Sequence, residues 1–418
     1  MVGFFASSGP LTLTTPRRRE PGLLPKCGAC KLCEQSRDPK FPLNPKMPVW
    51  GKGRRGVLVC GEAPSREEDE QNQPFVGKDG RLLRKCLNQI GVDLDRDCWT
   101  VNAIRCRPSK HRAPTANEIE HCRPLLVNAI REHQPETIVL LGDAAVSSLL
   151  GWLWAEEPGG IGRWTGCRIP SQKLNTWVCP MWHPSHVKNN EGKRDYGLME
   201  RTLTEHLSVA FALKGRPWNP VPDYRKRVRI IMDPEEAAGA IDYMLSDFQG
   251  PIAWDIETDR IKPDHPDSLI WSCSMCAGGE SISYPWHGAA KKRTLEFLRS
   301  DVPKIGFNAR FESRWVMAKH GFMVRKWVWD GMLAAHVLDN RAKTKGLGFQ
   351  AFAKLGFDAW DGGVSAYLKS KGGGGNTPNR IRDCPLPELL TYNALDSLLE
   401  YELAMVQAKE LGVDLKGG

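Results

Sequence analysis

Residues 251–259 read Pro-Ile-Ala-Trp-Asp-Ile-Glu-Thr-Asp, an apolar start leading into spaced carboxylates and a polar loop rich in Pro and Asp. That pattern predicts a short buried strand. Asp255 and Glu257 are two apart and share one face of it. Two carboxylates so placed repel each other and lose hydration, a cost that a cation offsets. Hard oxygen donors of this kind suit Mg²⁺ or Mn²⁺.

Further carboxylates follow downstream. Residues 304–307 predict a second strand, and 308–319 a helix carrying Glu312. Residues 386–410 predict a long helix, on which Tyr392 and Asp396 lie four apart on one face. This α/β pattern begins at Val228 and runs to the end of the sequence.

A chain of 418 residues is too long for one ordinary core and predicts more than one domain. With 41% hydrophobic and 26% charged residues, it has a globular composition. No apolar run approaches the ~18 residues of a membrane helix. A net charge of +9 favours a polyanionic partner, nucleic acid above all. Residues 1–22 predict a disordered basic arm without a secretion-signal layout. The 13 cysteines, odd in number and irregular in spacing, predict a reducing cytoplasm rather than a disulfide framework.

Upstream, residues 23–213 alternate strand-like segments (56–60, 99–104, 137–141, 176–181) with helix-like ones (81–90, 116–133, 143–150, 196–213). Such alternation predicts a parallel sheet covered by helices, with functional loops at the carboxyl ends of its strands. Residues 214–227, with Pro217, Pro220, Pro222 and a basic cluster, read as a linker. The fold class is therefore α/β in two domains, 23–213 and 228–418. The glycines at 372–375 read as a flexible loop.

Cys27-Gly-Ala-Cys30-Lys-Leu-Cys33 can offer two thiolates to one metal or one iron of a cluster. Two more must come from elsewhere. Cys106 and Cys122 bracket a basic loop holding Arg107, Lys110 and Arg112, the expected phosphate contacts. That wide second pair is unlike a zinc knuckle and permits an iron–sulfur site. Cys273 and Cys276, on a predicted strand, point to opposite faces and read as core, as do Cys60, Cys86, Cys98, Cys167 and Cys179. Five of the 15 tryptophans cluster at 152–182. They read mainly as packing, with base stacking open to any that are exposed.

Two resemblances follow from these residues. Asp255-Ile-Glu257, Asn308-Ala-Arg-Phe-Glu312 and Tyr392-Asn-Ala-Leu-Asp396 resemble the three motifs of the 3′→5′ proofreading exonucleases attached to family A DNA polymerases. The resemblance implies a ribonuclease H-like domain with a mixed sheet. It implies Asp255, Glu257 and Asp396 as ligands of two divalent ions, Glu312 as an outer ligand where that family has Asp, and Tyr392 orienting the attacking water. Asn308 would bind substrate.

The first half resembles the iron–sulfur, family-4 uracil-DNA glycosylases. The matching pieces are Cys27-x2-Cys30, Gly61-Glu-Ala-Pro64, Pro74-Phe-Val-Gly77, Asn102-Ala-Ile-Arg-Cys106, Leu141-Gly142 and His183-Pro-Ser185. The resemblance implies a [4Fe–4S] cluster on Cys27, Cys30, Cys106 and Cys122, with Cys33 a bystander. It also implies a base pocket in which Phe75 stacks, Asn102 reads the base edge, His183 stabilises the departing uracil, and Glu62 and Glu68 line the walls. Ser65 replaces a glycine of the family pattern, and the segment after Ser185 departs from it as well.

The leading expectation is a DNA repair or replication enzyme combining both sites. A second reading makes the iron–sulfur domain a catalytically idle DNA-binding module, and a third makes the whole chain a non-catalytic polymerase accessory. The sequence stops soon after the Asp396 helix, before any polymerase module. The expectation is accordingly a phage-like protein in the (host) cytoplasm, with a DNA polymerase acting in trans.

Overall fold

The computed structural model describes residues 27–30, 32, 47–109, 112–370 and 375–415. The expected basic arm, Cys33, Lys110 and the glycines 372–374 lie outside them. The contacts divide the chain into two compact units. The first runs to Pro222 and includes Phe352–Asp358; the second comprises Asp223–Ala351 and Ala359–Gly418. The division falls between Pro222 and Asp223. The return of Phe352–Asp358 to the first unit was not foreseen. It rests on the Phe352 ring, 4.8 Å from Trp154 and 5.7 Å from Trp164 between centroids, and on the Ala155 amide, which donates to Asp358 Oδ1 at 2.9 Å.

The first unit is built on five strands: β1 (Val57–Gly61), β2 (Cys98–Asn102), β3 (Thr137–Leu141), β4 (Ile169–Ser171) and β5 (Thr176–Met181). Their order is β2-β1-β3-β5-β4. All neighbours run parallel except β4, which is antiparallel to β5. Val57, Leu58, Val59 and Cys60 are all buried, so β1 is apolar on both faces, as a strand covered by helices on each side must be. Trp152, Trp154 and Trp164 are buried too, which makes them core rather than base-stacking surface.

The second unit holds β6 (Val228–Ile230), β7 (Ile252–Thr258), β8 (Ile270–Ala277), β9 (Glu280–Pro285), β10 (Lys304–Gly306) and β11 (Trp327–Asp330). The order is β11-β10-β7-β8-β9-β6, with β8 antiparallel to both neighbours and the remaining pairs parallel. The sheet is therefore mixed, with one antiparallel strand among parallel neighbours. Side-chain alternation sorts its two faces. Trp254 and Ile256 pair with Met275 and Cys273 and sit in the apolar core with Trp315, Tyr284 and Phe297. Asp255 and Glu257 pair with Ser274 and Ser272 and take the opposite face.

That face is covered by the helix Leu386–Leu411. Serines let its backbone approach closely. Ser274 Oγ donates to the Asn393 carbonyl at 2.7 Å, and the hydroxyls of Ser281 and Ser397 meet at 2.9 Å. The helix ends where Gly412 takes φ +69 and closes the last turn with its N–H. Among the described residues, no helix is long and apolar enough to cross a membrane.

Candidate functional site

In the second unit, oxygens of Asp255, Glu257 and Asp396 lie within 4.8 Å of one another. Strand β7 supplies the first two and the helix Leu386–Leu411 the third. Burial pushes Asp255 up to about 7, and drives Glu257 and Asp396 well above the usual carboxylate range, with neighbouring carboxylates adding to the effect. Three carboxylates so raised are a site that calls for positive charge.

Two of the three are also held in place. Asn393 Nδ2 donates to Asp255 Oδ2 at 2.7 Å, and Trp360 Nε1 donates to Asp396 Oδ1 at 2.6 Å. The Tyr392 hydroxyl is hydrogen-bonded to Asp396 as well. Tyr392, expected to address water, thus lies against one of the three carboxylates.

Glu312 sits in the first turn of the helix Ala309–His320, 2% exposed, with Oε2 buried and without a hydrogen-bond partner. Its helix is anchored by Asp330, whose carboxylate accepts from the Asn308 and Ala309 amides at 3.1 and 3.0 Å and from Met332 N at 2.9 Å. Asn308 adopts φ +72 just ahead of that helix, a conformation Asn tolerates better than most residues.

The reading from sequence missed Asn393, Trp360, Asp330 and Glu400. Glu400 had a readable signal: it lies four residues after Asp396 and eight after Tyr392 on the same helical face. For Asn393, Trp360 and Asp330 no spacing in the chain announces the contact.

In the first unit the expected pocket residues gather at the carboxyl ends of β1, β2, β3 and β5, as the parallel sheet requires. Two glycines mark the centre. A Cβ on Gly61 would fall 2.5 Å from Asn102 Oδ1 and 2.8 Å from Phe75 Cζ. One on Gly142, at φ +85, would fall 2.6 Å from Glu62 Oε1 and 2.9 Å from His183 Cβ. Phe75, Asn102, Glu62 and His183 thus crowd two backbone positions that cannot carry a side chain. Glu62 also accepts from Ala144 N, at the start of the helix Asp143–Leu153. Burial raises it above the ordinary carboxylate range.

The Nδ1 of His183 accepts from Ser185 N at 3.2 Å and lies 2.7 Å from Ser185 Oγ. With Nδ1 an acceptor, a neutral ring carries its proton on Nε2. Burial lowers His183 to about 4, so the ring is neutral at physiological pH.

Glu68 serves the loop that carries Phe75. Its carboxylate accepts from Ser65 N at 2.7 Å and Phe75 N at 2.5 Å, fixing the loop that presents Phe75 at φ +58. Ser65, the departure from the family pattern, is the N-cap of the helix Arg66–Gln71 and forms a capping box with Glu68. In the basic loop, the two terminal guanidinium nitrogens of Arg112 donate to Glu118 at 2.8 and 2.5 Å, and Arg107 lies 4.0 Å from buried Asp69.

The helix Cys27–Cys30 packs against the helix Ala116–His133, which carries Cys122. Cys106 is buried, Cys30 and Cys122 partly so, and the Arg105 amide donates to Cys122 Sγ at 3.4 Å. The Cys27 side chain lies outside the described positions. Three placed thiols on neighbouring elements, one already receiving an N–H, suit a thiolate-ligated cluster.

Residues 48–206 match the uracil DNA glycosylase superfamily. The type-4 uracil-DNA glycosylase of Thermotoga maritima is 36% identical over 190 residues, 44% of this chain and 88% of that protein. Through its first unit, the chain belongs to the type-4 uracil-DNA glycosylase family. Over a span that exceeds either unit alone, the DNA polymerase of Bacillus phage SP01 is 22% identical across 332 residues, 72% of this chain but 34% of the polymerase. Among solved structures, the RNase D–GMP complex of Trypanosoma brucei is similar at 20% identity, covering 46% of this chain and 61% of that one, with a TM-score of 0.35. The type-4 glycosylase unit is thus joined to a second α/β unit that the glycosylase relatives do not account for.

Proposed function

We propose that this type-4 glycosylase relative is a DNA repair or replication hydrolase with a metal-dependent 3′→5′ exonuclease site in its second unit and a uracil-excising pocket in its first. The observation that carries the exonuclease reading is the convergence of Asp255, Glu257 and Asp396 within 4.8 Å. Their hard oxygens fit Mg²⁺ or Mn²⁺. Two such ions, when bound, supply an activated water and neutralise the leaving 3′ oxygen. The protein's own share is positional. Asn393 sets the Asp255 carboxylate, and Trp360 and Tyr392 set that of Asp396.

In the first unit, Phe75 stacks on an extruded base and Asn102 reads its edge. The neutral Nε2–H of His183 donates to the uracil oxygen on which charge develops as the glycosidic bond breaks. Cys27, Cys30, Cys106 and Cys122 would hold a [4Fe–4S] cluster, and those thiols would thereby fasten the amino-terminal segment to the helix Ala116–His133. The proposed partner is DNA, together with a DNA polymerase whose mispaired 3′ ends the site would edit; the similarity to the phage polymerase supports this.

The test uses anaerobically purified full-length protein. With Mg²⁺ or Mn²⁺ it is expected to release mononucleotides from a labelled 3′ end, and Asp255→Ala to lose at least about 10³-fold in rate. No release with either metal, or an unaffected Asp255→Ala variant, refutes the exonuclease. With EDTA present, a uracil-containing oligonucleotide followed by alkali reports the glycosylase alone. Absence of cleavage there leaves the first unit as a DNA-binding module.

A further inference from the structure

Glu400 lies on the helix Leu386–Leu411 one turn beyond Asp396, and Tyr392, Asp396 and Glu400 form a single stripe. Glu400 is 3% exposed, and its Oε2 is buried without a hydrogen-bond partner. Glu312 Oε2 is in the same condition. Two orphaned carboxylate oxygens in one unit are costly as anions, and a fold offsets that cost with a proton or with a cation. Among the described ion pairs, none reaches Glu400 or Glu312. Burial raises Glu400 well above the carboxylate range, and the charges of Asp255, Glu312 and Asp396 raise it further, which places it in the same electrostatic cluster. Asp255, Glu257, Glu312, Asp396 and Glu400 bring five carboxylates to this one region.

We propose that Glu400 is a fifth carboxylate of the divalent-ion centre, acting with Glu312 as an anionic wall behind the three ligand residues and tightening the binding of Mg²⁺ or Mn²⁺. The inference rests on reading Asp255, Glu257 and Asp396 as that centre. Glu400 lies about 6 Å beyond Asp396 along the helix axis and outside the group of oxygens within 4.8 Å of one another, so it acts through its charge as a positioning residue and not as a ligand.

The test is Mn²⁺ binding to the full chain by titration calorimetry, with thermal melting in EDTA and in Mn²⁺. Glu400→Gln keeps the shape and removes the charge. It is expected to weaken Mn²⁺ binding about 10- to 100-fold, the range for outer-shell partners, while raising the melting temperature in EDTA because repulsion is relieved. Unchanged affinity overturns the proposal. So does equal destabilisation in EDTA and Mn²⁺ with affinity unchanged, which is the signature of a packing role. If Glu400→Gln does not fold, Glu400→Asp is used: it keeps the charge and must retain wild-type affinity, and a loss overturns the proposal. Wild-type protein that binds no Mn²⁺ defeats the metal-centre reading and this proposal together. Wild-type protein that binds Mn²⁺ but releases no nucleotide defeats the exonuclease reading alone.

Discussion

Asn393 Nδ2 donates to Asp255 Oδ2 at 2.7 Å while its Oδ1 accepts from Ser272 Oγ at 3.0 Å. A fully buried amide on the helix thereby carries the position of β8 to the carboxylate on β7. Asn393→Ala is expected to lower exonuclease rate and Mn²⁺ affinity about 10- to 100-fold, as loss of an outer-shell partner does. Single-turnover rates and Mn²⁺ titration check it. Wild-type values for both would remove Asn393 from the site.

Glu312 occupies a position where a shorter carboxylate could serve. Glu312→Asp retains the charge and is expected to keep or raise exonuclease activity. Glu312→Gln removes a charge from the metal centre and is expected to lower activity. If Gln behaves like the native residue in the same assay, Glu312 contributes nothing to the centre.

His183 gives the pH dependence. Its ordinary value is 6.5 and burial lowers it to about 4 in the folded protein. Between those values the unfolded chain binds a proton that the folded chain refuses. Stability of the first unit therefore falls as pH drops from 6.5 towards 4, and above 6.5 this contribution is constant. The ring is expected to stay neutral, with its proton on Nε2, from about pH 5 to 8. Nitrogen-15 shifts of the labelled imidazole decide the matter, since an inflection near 6.5 contradicts it.

The cysteine set predicts colour. Anaerobic protein is expected to be brown, with broad absorbance near ~400 nm. Cys106→Ala should bleach it and lower the melting temperature of the first unit, because the centre ties distant segments together. Cys33→Ala should leave the colour. A colourless preparation containing one zinc per chain would replace the cluster with a structural zinc site.

By itself, the sequence determined the two α/β patterns and the carboxylates of the second. Period two along 251–259 places Asp255 and Glu257 on one face, and period 3.6 along 386–410 aligns Tyr392 with Asp396. These are local geometries, carried by neighbours in the chain. The alternation of strands and helices likewise put Asn102 and His183 at the carboxyl ends of a parallel sheet. Tertiary structure decided whatever depends on partners from remote segments. Trp360 meets Asp396 from a loop without regular structure, and Asp330 anchors the Glu312 helix across 22 residues. Glu68 turned out to hold Phe75 in place, and Glu118 to accept from Arg112. A buried polar group takes whichever donor the packing brings to it, and that donor has no fixed spacing in the chain.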